Sequence, residues 1–167
     1  MSTKDFSIIQ ERQIAEFLHW EVVVGSGATA CRPGDVKSDT WLGECKTHIT
    51  NQDKVTFRVT HWVKITEESQ SAFKKPILFT DDGTQSLSNT WCMIPCSFMS
   101  NLGKELNPTK VYRLSSKTLM FNSQEMYREM HTHANMSDNP YFVVQFGGDK
   151  VAVLHIDTFK ECFGEIV

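Results

Sequence analysis

The chain has 167 residues, with 17 Lys and Arg against 20 Asp and Glu, a formal net charge of -3 and 40% hydrophobic residues. These totals exclude a disordered chain and are not typical of a strongly basic nucleic-acid-binding protein. No apolar run reaches the ~18 residues of a membrane span, and the N-terminus lacks a signal-peptide pattern. Five cysteines without framework spacing fit a reducing compartment, so we expect a cytoplasmic globular protein of one domain or two small ones.

The first part of the chain predicts a helix followed by strands. Apolar residues recur at helical spacing over 7–20, which indicates an amphipathic helix with Glu11 and Glu16 on its polar positions. Three short strands are predicted after it, at 21–24, 35–37 and 40–47. The last two are joined by a tight turn and form a hairpin with acidic residues on both arms.

The next part predicts a strand, a helix and a returning pair of strands. The predicted elements are a strand at 54–59, a helix at 61–73, and strands at 77–80 and 90–94. Pro76 ends the helical region. Helices and strands in this order predict a mixed α/β fold, with a mixed β-sheet flanked by helices.

The C-terminal part looks like a second copy of the strand, helix and hairpin at 54–98. Five residues are followed 63 or 64 positions later by similar ones: Lys54, Phe57, Trp62, Pro76 and Gly83 by Lys117, Phe121, Met126, Pro140 and Gly147. Either the unit is a degenerate duplication, or two unrelated α-β-β units look alike. We divide the chain into a core at 1–100 and a C-terminal α-β-β extension at 101–167, packed on the same domain.

The acidic hairpin contains the candidate catalytic residues. Residues two apart in a strand share a face, so Glu44 and Lys46 project together, and Asp35 on the other arm can reach the same face. Two carboxylates and a backbone carbonyl are hard oxygen ligands, which suit Mg²⁺ or Mn²⁺. An adjacent ammonium group can position water or stabilise a pentacovalent transition state, so the pattern predicts metal-dependent phosphodiester hydrolysis.

These residues resemble the PD-(D/E)xK nuclease superfamily and, within it, the Holliday junction resolvases of archaea and bacteriophages. The matching segments, in order, are ERQIAEFL at 11–18, GSGA at 25–28, GDV at 34–36 and ECKT at 44–47, followed by Trp62 and Pro76. The resemblance implies a restriction-endonuclease-like core at 1–100 and a homodimer that cleaves four-way DNA junctions. It also implies that Glu11, Asp35 and Glu44 bind Mg²⁺ or Mn²⁺, that Lys46 is catalytic, and that Ser26 contacts the scissile phosphate.

Two features depart from the family pattern. Asp35 follows a Pro-Gly pair and not a proline directly, and the extension at 101–167 makes the chain longer than the compact family domain. The motif reports chemistry and not substrate, so a nicking or restriction-like nuclease of the same superfamily is an alternative. A non-catalytic DNA- or protein-binding module on a nuclease scaffold is another.

Individual site residues also have structural alternatives. An acid-x-Lys triplet is often only a solvated strand face, and Ser26 can simply serve its turn. Glu16 competes with Glu11 on the same helix, and Asp39 competes with Asp35, although its position between the two arms favours a turn residue.

Basic residues around the motif predict the DNA contacts. We expect Lys37 and Arg58 to bind phosphate, and other cations of the same region can extend that surface: Lys54, Lys64, Lys74 and Lys75. A zinc site made of Cys92, Cys96, His131 and His133 is a weaker alternative, because the cysteines fall at the alternating positions of a buried strand.

Overall fold

The computed structural model of the chain describes residues 2–25, 33–49, 53–102, 108–132 and 140–164. Its helices are α1 Thr3–Leu18, α2 Val59–Ser71, α3 Ser97–Ser100, α4 Ser123–Thr132 and α5 Ile156–Phe163. Its strands are β1 Glu21–Val22, β2 Val36–Lys37, β3 Trp41–Lys46, β4 Val55–Arg58, β5 Lys75–Thr80, β6 Trp91–Pro95, β7 Val111–Arg113, β8 Thr118–Phe121, β9 Phe142–Phe146 and β10 Asp149–His155. The predicted mixed α/β class is confirmed.

Most strands form one large mixed sheet with the order β1-β2-β3-β5-β6-β10-β9-β7. β3 runs parallel to β5, and β7 runs parallel to β9, while the other neighbours in this sheet are antiparallel. β4 and β8 pair separately as an antiparallel two-stranded sheet. The predicted hairpin is the β2–β3 pair, in which Val36 lies opposite Gly43.

Helix α1 begins earlier than the apolar spacing predicts. Its first residue is Thr3, because Ser2 and Asp5 form a capping box in which Asp5 Oδ2 accepts from the amide of Ser2 at 2.6 Å. Ile14 and Leu18 on its buried face pack against the sheet. Helix α2 is also displaced from its predicted range of 61–73, because Phe73 adopts a left-handed conformation with φ of 56° that ends the helical region.

The central strand β3 is buried on both faces, and its alternating side chains enter two different hydrophobic cores. Trp41 and Cys45 pack in the core on the α1 side of the sheet. Leu42 packs in the core on the α2 side. Glu44 therefore projects toward the α2 side, where only 2% of its surface is exposed.

The two units proposed from the sequence have the same order of elements. The first contains β4, α2, β5, β6 and α3, and the second contains β8, α4, β9, β10 and α5. The units are joined by the antiparallel pairs β4–β8 and β6–β10, so one sheet continues through both. The duplication itself stays a prediction. Within the described ranges, no helix has the length and apolar content required to cross a bilayer.

Candidate active site

The β2–β3 hairpin holds Asp35 beside the strand that carries Glu44. The backbone amide of Asp35 donates to the carbonyl of Gly43 at 2.8 Å. The backbone amide of Cys45 in turn donates to Asp35 Oδ2 at 2.8 Å. These two hydrogen bonds reach the residues on either side of Glu44, so hairpin pairing alone brings the two acids to one place.

Gly34 sets the direction in which the chain enters this hairpin. Its φ of +71° lies in the left-handed region, and a Cβ atom there would stand 2.7 Å from Leu42 Cδ1. Its backbone amide donates to Glu68 Oε2 on α2 at 2.9 Å. The Gly-Asp pair in the sequence therefore has a structural reason, since a glycine is needed immediately before Asp35.

Glu44 is a buried carboxylate held by two ammonium groups. Its Oε1 atom lies 2.8 Å from Lys46 Nζ and 3.0 Å from Lys64 Nζ. Burial raises the pKa of Glu44, but the hydrogen bonds and charges of Lys46 and Lys64 outweigh it, so the pKa lies below its ordinary value. Glu44 is therefore an anion at neutral pH, as a metal ligand must be.

Lys64 connects the site to helix α2. Its side chain is 54% exposed, and its Nζ atom also lies 3.8 Å from Glu68 Oε1, one turn further along α2. Because Glu68 accepts from the amide of Gly34 through its other oxygen, the contacts run from Glu44 through α2 to the residue before Asp35. Helix α2 thus supports both arms of the acidic hairpin.

Helix α1 brings Glu11 to the same group of charges. The adjacent Gln10 is 1% exposed, and its Nε2 atom donates to the carbonyl of Lys46 at 2.7 Å, which fixes α1 against the end of β3. Burial first, and then the charges of Asp35 and Glu44, raise the pKa of Glu11 to about 7 against the opposing charge of Lys46. Glu11 therefore lies in the electrostatic field of the hairpin acids.

Asp35 responds to the same field. Burial raises its pKa and the charge of Glu44 adds to this effect, while the amide of Cys45 and the charge of Lys46 act against it. Neighbouring carboxylates thus add to the raised pKa of Glu11 and of Asp35, whereas Lys46 and Lys64 keep Glu44 ionised. Such a site gains free energy when another cation enters it.

These residues form what we term the acid–lysine cluster. Its members are Glu11, Asp35, Glu44, Glu68, Lys46 and Lys64. With all six ionised, four carboxylates and two ammonium groups leave a net charge of -2, which one divalent cation would neutralise.

The donor atoms of the cluster fit Mg²⁺ or Mn²⁺ in chemistry. Carboxylate oxygens are the hard ligands these ions take, and Gln10, next to the cluster, has a buried Oε1 without a hydrogen-bond partner among the described residues. In the described ranges, no three His, Cys, Asp or Glu side chains are close enough together to hold an ion. Instead, Lys46 and Lys64 compensate the charge of Glu44.

A network of polar side chains stabilises the chain just beyond Lys46. Thr47 Oγ1 donates to Asp81 Oδ1 at 2.7 Å, and Gln85 Nε2 donates to Thr47 Oγ1 at 2.8 Å. Asp81 is completely buried, and burial raises its pKa. The network joins the parallel strands β3 and β5 at their carboxyl ends and so fixes the backbone that carries Lys46.

The other predicted site residues lie in different places. Ser26 lies outside the described residues. Lys37 is 3.7 Å from Glu21 Oε2, and its backbone pairs with Leu42 toward the opposite end of β3 from Lys46. Arg58 is exposed at the end of β4, at the N-cap position of α2, where its side chain makes no capping hydrogen bond. The structure therefore brings together Glu11, Asp35, Glu44 and Lys46, and leaves Lys37 apart.

The predicted basic surface is divided in the same way. Lys64 joins the acid–lysine cluster, whereas Lys74 Nζ donates to the carbonyls of Ser38 and Asp39 in the β2–β3 turn. Lys75 Nζ lies 4.8 Å from the centroid of the Phe98 ring. Asp39, the alternative candidate to Asp35, lies in this turn and has an exposed side chain.

Sequence reasoning missed the contacts of Lys64, Glu68 and Gln10. The spacing of Lys64 and Glu68 by four residues on a predicted helix indicates an ion pair between them. No local signal indicates that this pair meets Glu44 and Gly34, because the contact depends on how α2 packs across β3. Gln10 is polar at a buried position, which only the packing of α1 reveals.

The fold and the site together define a mixed α/β protein with an acid–lysine cluster around the buried Glu44, at the end of its central parallel strand pair. No protein-family model, curated protein or solved structure matches this chain.

Proposed function

We propose that the protein is a metal-dependent endonuclease that hydrolyses phosphodiester bonds, with the acid–lysine cluster as its active site. The observation that carries the proposal is the convergence of Asp35, Glu44 and Lys46 on one hairpin, with Glu11 of α1 close enough for their charges to shift its pKa. These residue types, in this chain order, are those of the PD-(D/E)xK pattern in the sequence. Local excess of negative charge supports a role for a divalent cation.

Each residue has a role in this proposal. Glu11, Asp35 and Glu44 would hold Mg²⁺ or Mn²⁺, which supplies charge neutralisation at the scissile phosphate and a lowered pKa of bound water. Lys46 is partly exposed next to the buried Glu44, so its ammonium group can donate both to that carboxylate and to an oxygen of a substrate. There it would orient water or stabilise the charge of the pentacovalent transition state.

The finer proposal is a Holliday junction resolvase that acts as a homodimer. Symmetric resolution needs two cuts on opposing strands, and a two-fold dimer supplies two sites. Recognition would depend on junction shape and backbone charge, with little base readout. We also propose that the protein acts in the cytoplasm, since its cysteine content fits a reducing compartment.

A panel of substrates tests the proposal. The protein is incubated with a four-way junction, linear duplex and single-stranded DNA, in Mg²⁺, in Mn²⁺ and in chelator. Paired symmetric cuts in the junction alone, abolished by chelator, are the expected result. Cleavage of all three substrates would support the nuclease proposal and contradict the finer proposal of a junction resolvase. Binding without cleavage in every condition would contradict catalysis and favour a binding module.

Two neighbouring aspartates provide a matched test of the site. Asp35→Asn should abolish cleavage, because Asp35 lies against the strand that carries Glu44. Asp39→Asn makes the same chemical change on the exposed turn of the same hairpin and should cleave like the wild type. Equal activity of the two variants would contradict the assignment of Asp35.

A further inference from the structure

Basic side chains continue from Lys64, in the acid–lysine cluster, along the start of helix α2. Lys64, His61 and Arg58 follow one another at intervals of three residues toward the N-terminal end of the helix. Burial lowers the pKa of His61, and the charges of Lys46 and Arg58 lower it further. His61 therefore lies between Lys46 of the site and Arg58 at the N-cap position of α2.

The C-terminal unit adds a cation next to Arg58. The backbone amide of Val59 donates to the carbonyl of Lys117 at 3.0 Å, and Arg58 lies opposite Thr118 in the β4–β8 pair. Lys117 and Arg58 are both exposed, and among the described residues neither forms an ion pair. The start of β8 thus extends the charge of α2 across the junction between the two units.

Two other exposed lysines are paired with acidic residues. Lys110 is paired with Glu129 at 3.1 Å, and Lys37 faces Glu21. No acidic residue lies in the first turn of α2 to compensate Arg58 or the amides at that end of the helix. Two exposed basic residues without an ion pair among the described residues, Arg58 and Lys117, lie beside a proposed hydrolytic site, and they fit a polyanion better than a solvated protein face.

The dimensions suit a nucleic-acid strand. At a rise of 1.5 Å per residue, the segment from Arg58 to Lys64 spans about 9 Å. This corresponds to roughly two to three nucleotides at 3.4 Å per nucleotide of one strand. Arg58 and Lys64, with the His61 ring between them, therefore cover the length of the phosphates next to the one at the acid–lysine cluster.

We propose that Lys64, His61, Arg58 and Lys117 form one surface, the α2 basic surface, which binds the phosphate backbone of DNA beside the scissile bond. The inference rests on the proposed nuclease function and deepens it, because it gives the C-terminal unit a part in substrate binding through Lys117. The β4–β8 pair holds Lys117 beside Arg58.

The test compares two double variants of the full chain that lose the same charge. Arg58→Gln/Lys117→Gln removes the two cations at the junction of the units. Arg113→Gln/Lys150→Gln removes two cations from β7 and β10, which lie in the half of the large sheet away from β3. Binding of a fluorescent four-way junction is measured by anisotropy in chelator between 50 and 200 mM NaCl, and cleavage in Mg²⁺ is measured with the same preparations.

Each phosphate contact contributes about 0.9 to the slope of log affinity against log salt concentration. The loss of two contacts should therefore reduce the fall in affinity over this salt range by roughly tenfold, and lower the affinity at each salt concentration. The Arg113→Gln/Lys150→Gln control should keep the wild-type slope, and Arg58→Lys/Lys117→Arg should restore it. Restoration by the conservative pair excludes a folding defect as the cause.

Two contrary results are distinguishable. If the wild type cleaves DNA but both Gln double variants have the wild-type salt slope, or both lose it equally, the α2 basic surface is wrong and the nuclease proposal stands. If the wild type neither binds nor cleaves the junction, the proposed function fails and the surface fails with it.

Discussion

Replacing Glu11 by Gln should stabilise the protein at neutral and alkaline pH. The pKa of Glu11 is about 7 in the folded chain against an ordinary value of 4.5, first because of burial and then because of the charges of Asp35 and Glu44. The folded state therefore binds the proton more tightly than the unfolded state. As a result, the free energy of unfolding falls as pH rises from about 4.5 to about 7, and the loss is complete above pH 7.

The size of this effect follows from the two pKa values. Their difference corresponds to about 3 kcal/mol at about 1.4 kcal/mol for each pH unit. Glu11 is only half-buried, so solvent screening reduces the expected contribution to about 1–2 kcal/mol. Gln cannot ionise, so the Glu11→Gln protein should be more stable than the wild type by this amount at pH 8.

Urea denaturation in chelator measures the difference. The wild type, Glu11→Gln and a Glu16→Gln control on the exposed face of the same helix are compared at pH 8 and pH 4.5. The advantage of Glu11→Gln should be present at pH 8 and disappear by pH 4.5, and Glu16→Gln should show neither effect. A Glu11→Gln protein that is no more stable than wild type at pH 8, or whose advantage is independent of pH, refutes the electrostatic account of the cluster.

Three other predictions concern packing and the cation. Gly43→Ala should cost about 1–3 kcal/mol of unfolding free energy in urea, because its Cβ would stand 2.7 Å from Phe79 Cε2 and 2.9 Å from Val36 Cγ2; an unchanged midpoint would contradict this packing. A chain cut to 1–100 should give a poorly dispersed amide NMR spectrum, because β4 and β6 lose their partners β8 and β10, and cooperative folding of that fragment would show the units to be independent. Mg²⁺ at 100 times its Kd should stabilise the wild type by about 2.7 kcal/mol in thermal unfolding and Glu44→Gln by much less, whereas equal stabilisation would place the ion elsewhere.

The local parts of the site could be predicted from the sequence. Alternation along a strand places Glu44 and Lys46 on one face, and a short hairpin places Asp35 opposite them. The structure has this geometry, with the hydrogen bond from the Cys45 amide to Asp35 as its direct sign. Each of these relations involves residues at most about ten positions apart, where chain geometry alone limits the outcome.

The non-local parts could not be predicted in the same way. Lys64 meets Glu44 only because α2 crosses β3, and β7 joins the sheet edge beside β9 through a parallel pair. Separation of β4 and β8 into their own sheet also depends on tertiary packing. By contrast, the early start of α1 had a local signal, since Ser2 and Asp5 have capping-box spacing.

Cleavage of a labelled four-way junction in Mg²⁺ by the wild type and by Lys46→Met tests the central claim most directly. Removal of a group that stabilises transition-state charge should lower the rate by about 100-fold or more. Binding of the junction in chelator should change only slightly, and Lys150→Met, a loss of the same charge at the start of β10, should cleave at the wild-type rate. A Lys46→Met protein that cleaves the junction as fast as the wild type would contradict the assignment of the acid–lysine cluster as a nuclease active site.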